Sequence, residues 1–189
     1  MTSIGKIGGA TGQDWYSWPV GHADTVLLLS EQHGSGDDLS RAIADLDRHM
    51  AKIGADFGGV WSPPQSAGAT AATFWVGSIK AGSNDDFRSV LRYQRAISEE
   101  TRGMAAVFAQ FVDSTTVNGV EAVFRFETRA DGDGQGAYVL ARIAYFPTWT
   151  KDRALLEATC PVVILRDEFI HSVGVIAHTV TLEPEQELQ

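Results

Sequence analysis

One cysteine, Cys160, stands among 189 residues, so no disulfide framework holds this chain together. No apolar run approaches the roughly 18–20 residues that a membrane span needs. The longest near the start is Val26-Leu27-Leu28-Leu29. The opening residues lack the basic and apolar regions of a secretory leader, so the cytoplasm is the expected compartment and no membrane partner is expected. Basic residues are scarce. Fifteen Lys and Arg face 24 Asp and Glu, a formal net charge of −9. A protein of that sign repels phosphate backbones, which argues against nucleic acid. No internal repeat or low-complexity tract interrupts the chain.

What is present is an ordinary apolar fraction, 44% hydrophobic with 10% aromatic. That composition supports one globular domain rather than disorder. Residues 1–14, with four glycines and no periodicity, read as a flexible leader. Residues 15–182 read as a single domain, and residues 183–189 as a frayed acidic tail.

Within the domain, Thr25–Leu29 is a short apolar run and is expected as a buried strand. Leu39, Ile43, Leu46, Met50 and Ile53 fall at steps of four and three, which predicts a helix over Asp37–Ile53. Ser35, Asp37 and Asp38 suit its start, and Gly54, Gly58 and Gly59 its stop. Pro63-Pro64 then turns the chain. A strand is expected over Thr70–Ile79 and a helix over about 85–101, with Phe87, Val90, Leu91 and Ile97 on its apolar face. Beyond that the period changes to two. Strands are expected over Ala106–Val112, Ala122–Thr128, Ala137–Phe146 and Ala154–Thr159, with turn signals at Asn118-Gly119 and in the Gly/Asp loop Ala130–Gly136. Leu165, Phe169, Val173, Ile176 and Val180 predict a last helix over about Leu165–Ala177. Hairpin-linked strands imply an α+β fold. A mainly antiparallel sheet of about six strands would be covered by about three helices.

The motifs that could carry chemistry fail on context. In the Gly/Asp loop, counting from Asp131 puts Asp133, Gln135 and Gly136 at calcium-loop positions, yet position twelve is the cation Arg142 and the flanks are strands. Gly8-Gly9-Ala10-Thr11-Gly12 lacks the strand before and the helix after that a phosphate cradle needs. Of the five histidines, His171 and His178 can share a helix face, without a carboxylate or thiolate partner in a zinc pattern. Cys160 sits beside Pro161 in an apolar context that suits a structural thiol. No serine lies in a nucleophile elbow. No catalytic residue, metal or cofactor is therefore assigned.

Two patterns remain as partner-binding candidates. Arg88, Arg92 and Arg95, joined loosely by Arg102, would form a basic stripe on one helix face; a solvated face is the plainer reading. Trp61 beside Pro63-Pro64, and Trp149 after Pro147, are aromatic residues at expected loop positions that could anchor a partner. A small cluster under the loops is the plainer reading there.

From Ala106 to Leu182 the chain resembles small actinobacterial proteins of uncharacterised function with a PsbP-like α/β/α sandwich pattern. The resemblance rests on Ala106-Val107-Phe108, Phe124-Arg125-Phe126, Ala144-Tyr145-Phe146-Pro147, residues 152–159, Asp167-Glu168-Phe169 and Val175-Ile176-Ala177. Extended upstream by the Asp37 helix and the Thr73 strand, it covers most of the chain. It implies a fold and an accessory or assembly role, and it carries over no functional residue. The expected function is thus a non-enzymatic protein-binding or accessory module. The alternative is a small hydrolase or ligand-binding enzyme whose site is assembled from residues distant in sequence. A third reading, an immunity or phage-type accessory protein, fits the acidic charge and expects a basic partner. A protein is the expected partner, with a homodimer left open.

Overall fold

The computed structural model describes residues 3–32, 37–67, 69–80, 107–130 and 136–185. In chain order its elements are β1 (Ile4–Gly8), β2 (Trp15–Pro19), α1 (Ala23–Gln32), α2 (Asp37–Ile53), β3 (Phe57–Trp61), β4 (Ala72–Ile79), β5 (Val107–Val117), β6 (Val120–Ala130), β7 (Ala137–Phe146), β8 (Arg153–Cys160), α3 (Arg166–Thr179) and β9 (Thr181–Pro184). The main sheet has seven strands in the order β2-β3-β4-β8-β7-β6-β5, and each neighbouring pair is antiparallel. β1 and β9 form a second, two-stranded antiparallel sheet. The fold is α+β with three helices among the described residues, as expected in class. The main sheet exceeds the expected six strands because β2 and β3 were not foreseen.

α3 lies on one face of the sheet. Its buried Phe169, Val173 and Ile176 share a core with Phe74, Ile143, Tyr145, Leu156 and Ala158. Inside that core the Tyr145 hydroxyl donates to the Ala177 carbonyl at 2.9 Å, and burial pushes the phenol's pKa up. The other face is covered at the β2–β3 end by α2. Leu39, Ile43, Leu46 and Met50 pack there with Trp18 and Val60. Ile53, the last residue of the expected stripe, is largely exposed. Asp47 fastens the arrangement, accepting from Trp18 Nε1 and from the Gly21 amide, both at 2.9 Å.

Several expectations are corrected. Thr25–Leu29 is not a strand but the middle of α1. A short apolar run has no period of its own, and three successive leucines favour a helix over a strand. Ala23 and Val26 of α1 join the α2 cluster, while Leu28 is 62% exposed. Gly58 and Gly59 do not stop α2. They lie in β3, where a Cβ on Gly58 would collide with the Met50 sulfur and the Phe74 carbonyl. The bareness of Gly58 lets α2 approach the sheet, while a Cβ on Gly59 would strike the Phe74 ring and the Tyr16 carbonyl instead. Gly54 does end the helix, at φ 70°. Residues 4–8, expected within the leader, pair with the end of the expected domain and the start of the expected tail, as in Ile7↔Leu182 and Lys6↔Glu183. The helix expected over 85–101 lies outside the described residues.

The hairpins match closely. Asn118 (φ 48°) and Gly119 (φ 80°) make the two-residue turn between β5 and β6, and Ala130↔Ala137 closes the β6–β7 hairpin. The alternation along β6 places Ala122, Phe124 and Phe126 on the α3 face. Val123, Arg125 and Glu127 lie on the other, and all six are buried.

Candidate functional site

α3 covers the centre of the sheet and reaches β5 at its Val117 end. Beyond the helix, Phe111 of β5 stands 54% exposed. It faces its cross-strand partner Phe126 with ring centroids 6.3 Å apart. Phe126 lies 6.4 Å from Phe124, and Phe124 lies 5.5 Å from the His178 ring. The rings of Phe124, Phe126 and His178, though not Phe111, line an open groove of about 570 Å³ between β6 and α3. Its helical wall is Ile170, His171, Gly174, Val175, His178 and Thr179. The wall is low at its middle because Gly174 has no side chain, and a Cβ there would meet nothing within 4 Å. His178 is fixed through its Nδ1, 2.8 Å from the Gly174 carbonyl. The groove therefore offers aromatic faces and two imidazoles.

His171 and Val175 also border a second pocket of about 500 Å³ on the other flank of α3. Trp61, Pro63, Pro64, Asp14 and Glu168 line it as well. Trp15 stacks on Trp61 at 5.9 Å and donates its Nε1–H to the Ser172 hydroxyl. Ser172 is thereby held as an acceptor. Among the described residues, neither Glu168 nor Asp14 hydrogen-bonds His171, so no proton relay is assembled at this pocket.

The opposite face of the sheet carries a charged network. Glu127, fully buried, accepts from Arg125 Nε, Arg129 Nε and Gln110 Nε2, each at 2.7 Å. Next to it Arg142 Nε donates to Glu157 at 2.6 Å. Each carboxylate is met by a guanidinium N–H, an arrangement that fixes strand register. It also explains Arg142: this residue belongs to β7, not to a calcium loop.

The sequence candidates fare unevenly. Arg88, Arg92 and Arg95 lie outside the described residues, as does the loop 131–135. Trp61, expected in a loop, ends β3 and is 4% exposed. It contributes one wall to the second pocket and is core otherwise, since its pairing with Trp15 across the strands buries both rings. Trp149 does lie in a turn and is half-buried above a buried Pro147. Cys160 is fully buried, its thiol donating to the Val162 carbonyl at 3.4 Å. Burial raises its pKa, so it stays a protonated thiol. His171 and His178 do share one face of α3, and among the described residues no cluster of three metal-ligating side chains exists. Phe111 and Gly174 were missed. A glycine inside a helical pattern was their one visible signal.

Among the described residues, fold and groove together define an α+β sandwich with an open groove between β6 and the last helix. No family model matches the chain, and no curated protein matches it in sequence. Among solved structures, it is similar to LpqN of Mycobacterium tuberculosis, described as involved in cell envelope biogenesis. The TM-score is 0.57 at 12% identity, over 96% of this chain and 86% of LpqN. It also aligns with cyanobacterial PsbP from Synechocystis, with a TM-score of 0.43 at 8% identity over 97% of this chain and 94% of that one. A protein of unknown function from Pseudomonas aeruginosa aligns with a TM-score of 0.42 at 12% identity, over 61% of this chain and 74% of that one. The LpqN alignment fixes the fold and assigns no residue a role. Among the described residues no helix is long and apolar enough to cross a membrane.

Proposed function

We propose that this chain is a non-enzymatic binding module that captures a protein partner in the groove between β6 and α3. The observation that carries the reading is the open groove beside α3, lined by the buried rings of Phe124 and Phe126, with the exposed Phe111 packed against Phe126. Small-molecule sites enclose most of their ligand. This groove is open along its length, which suits apolar side chains presented by a larger surface. We propose the cytoplasm as its compartment. Cell fractionation decides between that and the envelope setting described for LpqN.

The test uses Gly174→Leu, which fills the groove from a position where a Cβ meets no neighbour. Peptides selected from a random display library on the wild-type protein should carry apolar residues. They should bind Gly174→Leu about tenfold more weakly or worse, equivalent to about 1.4 kcal/mol. Selected peptides that bind both proteins equally would rule out the groove as the capture site. Selection that yields no binders would equally count against it.

A further inference from the structure

The two edges of the main sheet are unlike. β2 is five residues long and ends in Pro19, a blunted edge of the ordinary kind. β5 runs for eleven residues, VFAQFVDSTTV, with neither proline nor lysine. Among the described residues, no strand pairs with its outer side. The two-residue turn makes Val117↔Val120 the closing hydrogen-bonded pair. By alternation Phe111, Asp113 and Thr115 direct their backbone groups at β6, whereas Val112, Ser114 and Thr116 direct theirs outward. The Ser114 amide shows this directly. It is met not by β6 but by the Asp113 carboxylate, Oδ1 at 2.8 Å. On the groove side of β5, the side chains of Phe111 and Asp113 sit opposite Phe126 and Phe124.

We infer that β5 accepts an extended segment of a basic partner protein as an eighth, antiparallel strand of the sheet. This rests on the groove being the capture site and specifies how it is used. The incoming backbone takes the outward amides and carbonyls of Val112, Ser114 and Thr116. A carbonyl of the partner replaces Asp113 on the Ser114 amide. The released carboxylate then needs a new counter-group, and a lysine opposite Asp113 supplies it. Two positions along, on the same face, an apolar side chain covers Phe111 and reaches the groove. The net charge of −9 favours a basic partner over a second copy of this chain.

The probe is the synthetic octapeptide Thr-Val-Thr-Lys-Thr-Val-Thr-Val, labelled for fluorescence anisotropy, beside its analogue with glutamate in place of lysine. The lysine peptide should bind about fivefold tighter than the glutamate one at low salt, and Asp113→Ala should erase that preference. On the wild-type protein, hydrogen exchange should slow at the Val112, Ser114 and Thr116 amides when the lysine peptide is added. Ser114→Pro removes an outward amide without touching the β6 ladder and should weaken binding about tenfold or more. Binding that Gly174→Leu abolishes but that leaves those three amides unprotected would overturn strand addition while the groove reading stands. Absence of binding by either peptide overturns strand addition. A dimer of the protein alone, split by Ser114→Pro in sedimentation, would make a second copy the occupant and overturn the basic partner.

Discussion

Asp56 precedes β3, and its carboxylate sits partly inside the protein, within reach of the Ser78 amide. Burial raises its pKa, and the hydrogen bond from the Ser78 backbone opposes part of that rise. A carboxyl whose folded pKa lies above its unfolded one takes up its proton more readily in the native state. Its favourable contribution is therefore present at acid pH and is lost as pH rises through the folded value. At neutral pH the native protein holds a partly buried charge at a cost. Asp56→Asn keeps an oxygen for the Ser78 amide and removes the charge. Urea unfolding should find the variant more stable than wild type at pH 7, with the difference shrinking as pH falls through the carboxylate range. A difference that is flat with pH would show that the charge is not the cause. Glu127 is the contrasting case: fully buried, it is answered by two guanidinium groups and an amide.

Elements show where sequence reasoning succeeds. α2 was legible because its apolar residues keep the helical period over four turns and its ends carry acidic and glycine signals. β6 and β7 were legible because Asn118-Gly119 and the Gly/Asp loop mark their limits. α1 was not, since four consecutive apolar residues satisfy helix and strand alike. Gly58 and Gly59 look like helix punctuation in sequence and turn out to be strand residues, Gly58 under Met50 of α2 and Gly59 against the Phe74 ring. The groove was illegible for a related reason. Phe111, Phe124 and Phe126 each read as strand residues, but only the register between β5 and β6 and the offset of α3 make them neighbours. The same substitution at two glycines separates these roles. Gly58→Ala should cost about 1–3 kcal/mol, because a Cβ strikes the Met50 sulfur and the Phe74 carbonyl. Gly174→Ala, in mid-helix with open space beside it, should gain about 0.5–1 kcal/mol. Denaturant midpoints measure both, and a Gly58→Ala protein as stable as wild type would remove the close α2–sheet contact from the account.

At the scale of the whole molecule, residues from both ends of the chain are tied together at the end of α3. β1 pairs with β9, Ile7 reaches the main core, and Thr179 links the helix to the segment after β1. The Thr179 hydroxyl donates to the Ala10 carbonyl at 2.7 Å and accepts from the Ala10 amide at 2.9 Å. It also lies 2.7 Å from the Ile176 carbonyl and lines the groove. One side chain therefore couples the small sheet to the groove wall. Thr179→Val keeps the shape and deletes the hydroxyl, leaving the Ala10 backbone groups without their partner. The expected loss is about 1–2 kcal/mol of stability. Hydrogen exchange should quicken in β1, in β9 and over the last turn of α3 together, while the β6–β7 ladder keeps its protection. If only β1 loosens, the small sheet is an appendage to the fold. If all three loosen as one, it is the clamp that holds the groove's helical wall in place, and partner capture should weaken in the same variant even though neither Phe124 nor Phe126 has changed.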